Sequence, residues 1–299
     1  MKKTLVIGSC TVDIIIPSPR LPSSAESVIT EAHHISLGGC ANNVAEALRI
    51  AGAPYLHAFT LGSGIYGEYA KSELERKGLK PFRTSLEPHG ACICIVEPDG
   101  ERSFMAYHGV EYTFRGEWLD GYDTSGFSQV YICGLELEVD EDDEIVRFLE
   151  KAGIRDIYFA PGPRMMTLKK ERLSRLMALS PIIHLNDKEI TDYTGVSDID
   201  EAVRILGCES HNDVIVTLGP EGSLVYSDGI ITRHRGEKTV AVDTVGAGDC
   251  HLGTYMACRA RGYDRYASLR TADHLAAKVI AVHGPTLDPC DVSEEDYRG

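Results

Sequence analysis

The chain has 299 residues, of which 30 are Lys or Arg and 45 are Asp or Glu, so its formal net charge is -15 at pH 7. Hydrophobic residues make up 43% and charged residues 25% of the sequence, a balance typical of a globular protein and not of a disordered or fibrous one. The excess of acid argues against a nucleic-acid-binding protein, which needs a basic face to displace counterions from phosphates. A small anionic ligand is not excluded, because a few local donors are enough to bind it.

The sequence predicts neither a membrane span nor a disulfide framework. No window approaches the roughly 18 consecutive apolar residues of a spanning helix, and Asp13 interrupts the apolar run of the N-terminus before it could serve as a signal peptide. Nine cysteines, an odd number in a chain too large to need disulfides, predict reduced thiols in the cytoplasm. The spacing of Cys92-x-Cys94 does not suit a zinc site, so these thiols are expected to be structural.

Strand-like apolar runs alternate with helical patterns along most of the chain. After a β-rich start at 3–16, strands are predicted at 57–61, 129–133, 154–159, 182–185 and 213–218. Helices are predicted at 41–51, 68–77, 142–152 and 168–179, with a further helix running through Met256. Strands that alternate with helices of about ten residues indicate βαβ units and a parallel sheet.

One segment departs from this alternation. Two β-type runs, 91–97 and 101–107, flank Pro98-Asp99-Gly100, which is a hairpin signal. A hairpin does not belong in a parallel crossover, so we expect these runs and the extended stretch after Pro17 to form a small lid sheet. The acidic run from Glu136 to Glu144 is expected to be the solvated start of a helix.

The strongest chemical signal is the heptapeptide Asp243-Thr244-Val245-Gly246-Ala247-Gly248-Asp249, which precedes an apolar helical run. Its glycines let the backbone turn several N–H groups toward one point, and a helix N-terminus adds partial positive charge, so the segment predicts an anion site. In this turn the Asp249 carboxylate is expected to stay ionised at little cost. A carboxylate beside an anion site can take the proton of a hydroxyl that attacks phosphorus. The alternative is a structural turn in which Asp249 only caps the helix.

This heptapeptide resembles the C-terminal signature of the ribokinase-like (PfkB) carbohydrate kinases. The N-terminal signature is also present, as Gly38-Gly39-Cys40-Ala41-Asn42-Asn43-Val44-Ala45. The remaining landmarks follow in family order: Asp13, Asn186-x-x-Glu189, and Thr217-Leu218-Gly219 with Gly222. The resemblance implies an α/β fold, namely a ribokinase-like three-layer sandwich with a mostly parallel central sheet and a small β-strand lid. It also implies a single domain over 1–299, with lid strands inserted at about 12–37 and 91–112.

The resemblance implies a role for each residue that matches the family pattern. Asp249 is the implied catalytic base, and the implied anion hole consists of Gly246, Ala247 and Gly248. The implied contacts to the acceptor sugar are Asp13, Gly38, Gly39, Asn43, Glu136 and Asp249. The implied contacts to ATP are Asn186, Thr217, Gly219, Gly222 and Gly248, with Glu189 ordering Mg²⁺ through water. A site for a monovalent cation, K⁺, is implied at Asp243, Val245, Ala281 and Gly284.

Each short motif also has a purely structural interpretation, and only their joint occurrence in order favours the functional one. Asn186 could cap a helix with Glu189 as its capping-box partner. The triplet Gly62-x-Gly64-x-x-Gly67 spells a dinucleotide fingerprint, but no acidic partner follows a strand at the expected distance, so we expect a turn before a helix. His251, an unusual residue two positions after Asp249, is assigned no proton-transfer role.

The predicted function is therefore the ATP-dependent phosphorylation of a hydroxyl group on a small carbohydrate. Within the same fold a nucleoside acceptor is the alternative, with an apolar base pocket supplied by Phe104, Tyr107 and Tyr112. A phosphosugar is less favoured, because Arg102 is the one lid cation that suggests it. The alternative from another class is a non-catalytic sensor of sugars or nucleotides. The expected partners are the small-molecule substrate and a second copy bound through the lid, with no nucleic acid and no membrane.

Overall fold

The structure, a computed structural model, describes residues 3–98 and 102–297. The strands in these ranges are β1 (Lys3–Ile7), β2 (Thr11–Pro17), β3 (His34–Gly38), β4 (Tyr55–Ala58), β5 (Thr60–Ser63), β6 (Arg83–Pro88), β7 (Ala91–Val96), β8 (Arg102–Tyr107), β9 (Phe127–Cys133), β10 (Asp156–Ala160), β11 (Ile182–Asn186), β12 (Val214–Thr217), β13 (Ser223–Ser227) and β14 (Ile230–His234). The α-helices are α1 (Cys40–Ile50), α2 (Gly64–Arg76), α3 (Gly134–Val139), α4 (Glu144–Ala152), α5 (Lys170–Met177), α6 (Asp187–Thr194), α7 (Ile199–Ser210), α8 (Ala247–Ala260) and α9 (Arg265–Ile280).

Eight strands form the central sheet, in the order β14-β13-β12-β11-β10-β9-β1-β4. Neighbours from β4 to β12 pair in parallel, whereas β12, β13 and β14 pair antiparallel at one edge. The mostly parallel sheet predicted from the alternating pattern is thus confirmed. Because β1 lies between β4 and β9, later strands are added on both sides of β1, and the strand order reverses there. At such a reversal, a crevice opens beyond the carboxyl ends of the strands, and ligands of open α/β sheets bind in it.

Helices cover both faces of this sheet. Successive side chains of a strand point to opposite faces, so Val130 and Ile132 of β9 join one hydrophobic cluster while Tyr131 and Cys133 join another. Residues of α4, α5, α6 and α7 belong to the first cluster, and residues of α1, α8 and α9 belong to the second. The result is the predicted sandwich of three layers. No helix in the described ranges is both long enough and apolar enough to cross a membrane.

A second, four-stranded sheet has the order β3-β2-β7-β8. Strands β2 and β3 are antiparallel, β2 and β7 are parallel, and β7 and β8 are antiparallel. The predicted hairpin runs correspond to β7 and β8, while Asp99 and Gly100 of the predicted turn lie outside the described residues. This sheet, called the lid sheet below, is the small sheet expected beside the α/β body.

Two predicted strands are each divided between two sheets. The run at 3–16 is interrupted at Gly8, which has a φ of +145°, so that β1 lies in the central sheet and β2 in the lid sheet. The run at 57–61 is divided in the same way, with β4 in the central sheet and β5 paired with β6 in a separate two-stranded sheet. Apolar periodicity cannot reveal such divisions, because both halves of each run are apolar and extended.

Two further expectations need correction. The acidic run is not one solvated helix start: Glu136 is 1% exposed in α3, and Asp140 accepts hydrogen bonds from the first N–H groups of a separate helix, α4. The glycine triplet is also not simply a turn before a helix at 68–77, since α2 begins at Gly64 and includes Gly67. A Cβ at Gly67 would lie 2.2 Å from the carbonyl oxygen of Gly62, so this glycine is needed for close packing.

Gly253 of α8 provides a test of the helix contact that positions the site. A Cβ there would lie 2.7 Å from the Cβ of Ala47 and 2.9 Å from the carbonyl oxygen of Val44, both on α1. We expect Gly253→Ala to force the helices apart and to lower the free energy of unfolding by about 1–3 kcal/mol, measured by urea denaturation. Gly126→Ala is the matched control, because no atom lies within 4 Å of its added Cβ. Equal stability of the two variants would contradict the close approach of α1 and α8.

Candidate active site

The candidate site lies where the N-termini of α1 and α8 meet the crevice beyond β1 and β9. Both helices are preceded by a glycine with positive φ: Gly39 at +91° and Gly246 at +74°. These conformations are accessible to glycine at little cost. A Cβ at Gly246 would also lie 2.4 Å from the carbonyl oxygen of Pro285. Both signatures therefore use glycine to turn the chain sharply into a helix that points toward the same crevice.

Asp249 lies in the first turn of α8, and its Oδ2 accepts a hydrogen bond of 2.9 Å from Nδ2 of Asn43 on α1. This contact joins residues of the two signatures that are 206 positions apart in the sequence. Loss of hydration in the cleft raises the pKa of Asp249 to about 7, although hydrogen bonds from Asn43 and Cys40 act in the opposite direction.

The expectation that Asp249 stays ionised at little cost is therefore wrong. The electrostatic benefit of a helix N-terminus is about 0.3–1 kcal/mol at an exposed position, whereas desolvation of a carboxylate shifts its pKa upward by several units in a deep site. A pKa near 7 suits a general base, because a base is most effective when its pKa lies close to the working pH.

The residues predicted for the anion hole, Gly246, Ala247 and Gly248, form the cap and the first two positions of α8. The first N–H groups of any helix lack partners within it; here the N–H of Ala247 has only a long contact of 3.5 Å to the carbonyl of Thr244. Position 248 is also close to another buried group, since a Cβ there would lie 3.9 Å from Cε1 of His184. The arrangement can bind an anion with backbone donors and the positive end of a 14-residue helix.

Asp13 projects from β2 of the lid sheet toward the di-glycine at the start of α1. A Cβ at Gly38 would lie 1.8 Å from Oδ2 of Asp13, so the close approach requires glycine at this position. Burial raises the pKa of Asp13 to about 6, and the Thr11 hydroxyl, which donates to Oδ1 at 3.1 Å, lowers it in part. The carboxylate remains mostly ionised at neutral pH and can accept hydrogen bonds from vicinal hydroxyls.

Glu136 does not present its carboxylate to the cleft in the way that Asp13 does. Its Oε1 accepts hydrogen bonds from the backbone N–H and the hydroxyl of Ser9, each at 2.9 Å, and its Oε2 contacts Sγ of Cys133. The side chain is 1% exposed. In this structure Glu136 therefore positions the chain after β1 against β9, and its carboxylate oxygens are engaged by the protein.

A cavity of about 610 Å³ lies on the other side of the α8 N-terminus. Among the residues that line it are five of those predicted for ATP and the anion hole: Thr217, Gly219, Gly222, Ala247 and Gly248. A Cβ at Gly222 would lie 2.3 Å from the backbone of Gly236, so glycine here lets β13 approach the segment that closes the cavity. Four of the five predicted ATP contacts thus border one space, next to the predicted anion hole, whereas Asn186 is not among the lining residues.

Asn186 and Glu189 form the capping box that the sequence allowed as an alternative. The Asn186 side chain accepts from the N–H of Glu189 at 2.7 Å, and Oε2 of Glu189 accepts from the N–H of Asn186 at 3.0 Å. Parallel pairing places Asn186 next to Thr217 of β12, at the edge of the nucleotide cavity. The capping role and a role toward phosphates are compatible, because Glu189 keeps Oε1 for a second partner. Burial raises the pKa of Glu189.

A buried network that the sequence did not predict lies beneath the anion hole. Nε2 of His184 on β11 is 3.1 Å from Nδ1 of His251, and Nε2 of His251 is 3.4 Å from Oδ1 of Asp273 on α9. Burial holds the pKa of His184 well below its usual value, so this ring is neutral at pH 7. Burial opposes ionisation of Asp273, but hydrogen bonds from His251, His234 and Ser223 keep its pKa below the usual range. The network fixes α8 against the sheet and α9.

The residues expected around a monovalent cation are also brought together, but the N–H groups of Val245 and Gly284 are directed at the Asp243 carboxylate. Oδ1 of Asp243 accepts from the N–H of Val245 at 2.9 Å, and Oδ2 accepts from the N–H of Gly284 at 3.1 Å. Ala281 follows the last turn of α9 nearby. Oδ1 also accepts from Nη2 of Arg102, on strand β8 of the lid sheet, at 2.7 Å. Within residues 3–98 and 102–297, no cluster of three or more His, Cys, Asp or Glu side chains could hold a metal.

Taken together, a carboxylate with a pKa near 7 lies between a polar cleft and a nucleotide-sized cavity, at the positive end of a helix. These are the parts that transfer of a phosphoryl group to a hydroxyl requires. The fold and the site indicate a kinase that transfers a phosphoryl group to an alcohol group.

Comparisons with known proteins agree with this class. The family model for the pfkB family carbohydrate kinases matches residues 1–291. The chain is 28% identical over 293 residues to the uncharacterised sugar kinase YegV of Escherichia coli, covering 96% of this chain and 91% of that protein. The ribokinase of Giardia lamblia has the same fold, with a TM-score of 0.84, 18% identity, and coverage of 100% of this chain and 99% of that chain.

A solved nucleoside kinase of Burkholderia thailandensis, in complex with inosine, also shares the fold, with a TM-score of 0.77 and 21% identity over 94% of this chain and 91% of that chain. The chain described here belongs to the pfkB family of carbohydrate kinases. It is accordingly an ATP-dependent phosphotransferase with a hydroxyl acceptor.

The Asn43–Asp249 hydrogen bond predicts a pH dependence. The base must be ionised, so kcat/KM should fall as the pH drops below the Asp249 pKa of about 7. Replacing Asn43 with Ala removes a donor that stabilises the ionised form, and we expect the acidic limb of the profile to move to higher pH. The measurement is kcat/KM from pH 5.5 to pH 9, a range of roughly two units on either side of neutral.

Asn42→Ala is the matched control for that profile. Asn42 is also buried on α1, but its Oδ1 contacts Sγ of Cys10 and not the Asp249 carboxylate. The acidic limb of the kcat/KM profile of Asn42→Ala should coincide with that of the unaltered protein. An unchanged limb in the Asn43 variant would contradict the assignment of Asp249 as the titrating base.

Proposed function

We propose that this protein is an ATP- and Mg²⁺-dependent kinase for a hydroxyl group of a small neutral carbohydrate, with Asp249 as the general base. The observation that carries the proposal is the 2.9 Å contact between Asn43 and Asp249, because it places both family signatures around one reacting point. The proposal extends the family assignment to the role of each residue and to the charge of the acceptor.

The proposed mechanism follows from the positions of the side chains. Asp13 and Asn43 hold acceptor hydroxyls, so that one of them faces the Asp249 carboxylate. Asp249 accepts the hydroxyl proton as the oxygen attacks the terminal phosphorus of ATP, and the N–H groups of Gly246 to Gly248 stabilise the charge on the transferred group. Most of the rate enhancement of such a reaction comes from positioning and electrostatic stabilisation.

The carboxylate donors of the site fit magnesium. Mg²⁺ prefers oxygen ligands and keeps several of its waters. Glu189 lies in the first turn of the helix that follows β11, whose Asn186 pairs with the cavity-lining Thr217, and its Oε1 is not engaged by the capping box. When bound, the metal would neutralise charge on the outer phosphates of ATP. Glu189 and Asn186 would orient its hydration shell. A monovalent cation is not part of the proposal, since Asp243 is surrounded by N–H donors and the Arg102 guanidinium.

The charges of the site favour a neutral acceptor over a phosphosugar. Two carboxylates, those of Asp13 and Asp249, face the acceptor, and the buried carboxylate of Glu136 lies behind them. Arg102, the lid cation that suggested a phosphosugar, is engaged by Asp243. An acceptor with a phosphate would meet this negative surface without a partner, at an electrostatic cost.

A nucleoside is the second candidate acceptor, and specific aromatic side chains favour it. Phe104 and Tyr107 of β8 are 65% and 58% exposed, and His108 stacks on Tyr112 with ring centroids 4.2 Å apart. A base could stack on such rings. The nucleoside kinase with the same fold supports this second candidate.

Exposed apolar side chains of β8 also support the proposal that the protein forms a homodimer through the lid sheet. Phe104, Met105 and Tyr107 are all more than half exposed on β8, an outer strand of that sheet. Strand edges and apolar faces of this kind tend to be covered by a partner. We also propose that the protein acts in the cytoplasm, since all nine cysteines are free and five of them are buried.

A phosphorylation screen tests the proposed function. Purified protein with ATP and Mg²⁺ should phosphorylate at least one neutral pentose, hexose or nucleoside, measured as ADP release and confirmed by the mass of the product. Sugar phosphates form the contrasting panel, and turnover restricted to them would contradict the neutral acceptor. A lack of turnover with every neutral compound would favour the sensor interpretation.

Asp249→Asn separates catalysis from folding. We expect kcat to fall by about 10²–10⁴ while ATP binding, measured by calorimetry, is retained. The folded pKa of about 7 lies above that of an unfolded aspartate, so ionisation of Asp249 destabilises the folded state as the pH rises from the unfolded value to 7. The variant should therefore have a higher Tm than the unaltered protein at pH 8 and no advantage at low pH. Near-normal turnover would disprove the assignment of the base.

A further inference from the structure

The ion pair between Arg102 and Asp243 links two parts of the molecule that the reaction must bring together. Asp243 is the first residue of the heptapeptide and lies three positions before Gly246, the cap of the anion-hole helix. Arg102 is the first residue of β8 in the lid sheet, 141 positions away in the sequence. The pair is thus a direct connection between the lid and the loop that enters the anion hole.

The negative charge of the Asp243 carboxylate is neutralised by donors of the protein itself. Oδ1 receives the N–H of Val245 and Nη2 of Arg102, and Oδ2 receives the N–H of Gly284. The carbonyl of Ile280, the neighbouring backbone acceptor, is also engaged, since it accepts from the N–H groups of Val242 and Asp243 at 2.7 and 3.1 Å. The groups directed at the carboxylate are donors, whereas a bound alkali cation needs oxygen acceptors around it.

The position of the guanidinium excludes a second cation from the same carboxylate oxygen. Arg102 lies 2.7 Å from Oδ1, and the two side chains are only 18% and 14% exposed, so solvent screens the pair weakly. A cation that shared Oδ1 would be repelled by the guanidinium at short range. The Asp243 carboxylate, the one side-chain ligand of the monovalent-cation site that the family resemblance implied, is therefore already neutralised by the protein.

We propose that Arg102 is a positioning residue that supplies, from the lid, the positive charge required at Asp243, so that this kinase works without a monovalent cation. The inference rests on the proposed function, because it concerns the loop that forms the anion hole. According to this proposal, the negative charge of Asp243 in the anion-hole loop is fully compensated only when the lid sheet places Arg102 against it. Arg102 acts through Asp243 and does not itself contact the acceptor.

The first test compares monovalent cations at constant ionic strength. Initial rates of the unaltered protein with a neutral acceptor, ATP and Mg²⁺ should agree within about twofold in potassium, sodium and tetramethylammonium chloride, apart from general salt effects. Arg102→Gln should lower kcat about tenfold or more in tetramethylammonium, because it leaves a partly buried carboxylate without its partner. Added potassium or a low, non-denaturing concentration of guanidinium should restore part of the rate in this variant.

Arg20→Gln is the matched control. Arg20 lies between β2 and β3 of the lid sheet and, like Arg102, pairs with a carboxylate, that of Glu26, but the pair is exposed and does not touch Asp243. Its rates should match those of the unaltered protein in every salt, with no response to guanidinium. Strong stimulation of the unaltered protein by potassium over tetramethylammonium would overturn the proposal. Full activity of Arg102→Gln in tetramethylammonium would also overturn it.

A second measurement does not depend on turnover. The Tm of the unaltered protein should be the same in the three salts, whereas that of Arg102→Gln should be lower and should rise with guanidinium. The double variant with Arg102→Gln and Asp243→Asn should lose less stability than the sum of the two single losses, because the two substitutions remove the same interaction. If the stability losses of the two single variants simply add in the double variant, the proposed pairing of Arg102 with Asp243 is overturned. If no acceptor is phosphorylated in any salt, the proposed function fails while these Tm measurements still decide the role of Arg102.

Discussion

The close contact between α1 and α8 is the constraint on which the rest of the site depends. Gly253 lets α8 approach α1 to within the distance at which a single methyl group would collide with Ala47. Because the two helices begin at the same crevice, this approach brings the Asn43 amide to the Asp249 carboxylate. The crevice itself exists because strand order reverses around β1. Backbone topology thus determines where the reaction can occur, and two glycine turns determine which atoms face it.

The electrostatics of the site explain how an acidic protein can use a polyanionic substrate. In the proposed site, helix N-termini and backbone N–H groups, which carry no formal charge, would bind the phosphates, while carboxylates would bind the acceptor. Burial then raises the pKa of Asp249 to about 7 and that of Asp13 to about 6. Holding carboxylates in a cleft where their ionisation is disfavoured destabilises the fold, and such a loss of stability is common at functional sites.

Local sequence patterns predicted most of the helices and strands. What they missed depends on contacts between residues that are distant in the sequence. The alternating pattern predicts most strands and helices, and the signature spacing predicts the glycine turns. The pattern does not reveal that Asp13 lies in a different sheet from Leu5, because the division depends on pairing partners distant in sequence. Burial of Glu136 depends in the same way on Ser9, 127 positions away. His184 and Asp273 carry no motif, and His251 stood out in the sequence only as an unusual residue, so the polar network was not predicted.

The lid sheet connects acceptor recognition with the anion hole. Strand β2 carries Asp13, the proposed acceptor contact, and β8 carries Arg102, which pairs with Asp243 in the loop before Gly246. The two strands are joined through β7, which pairs with both of them. The Arg102–Asp243 pair is already formed in the structure, so the placement of the guanidinium follows from the pairing of the lid strands. The same sheet therefore fixes both the carboxylate of Asp13 and the charge partner of Asp243, although the two side chains are far apart in the sequence.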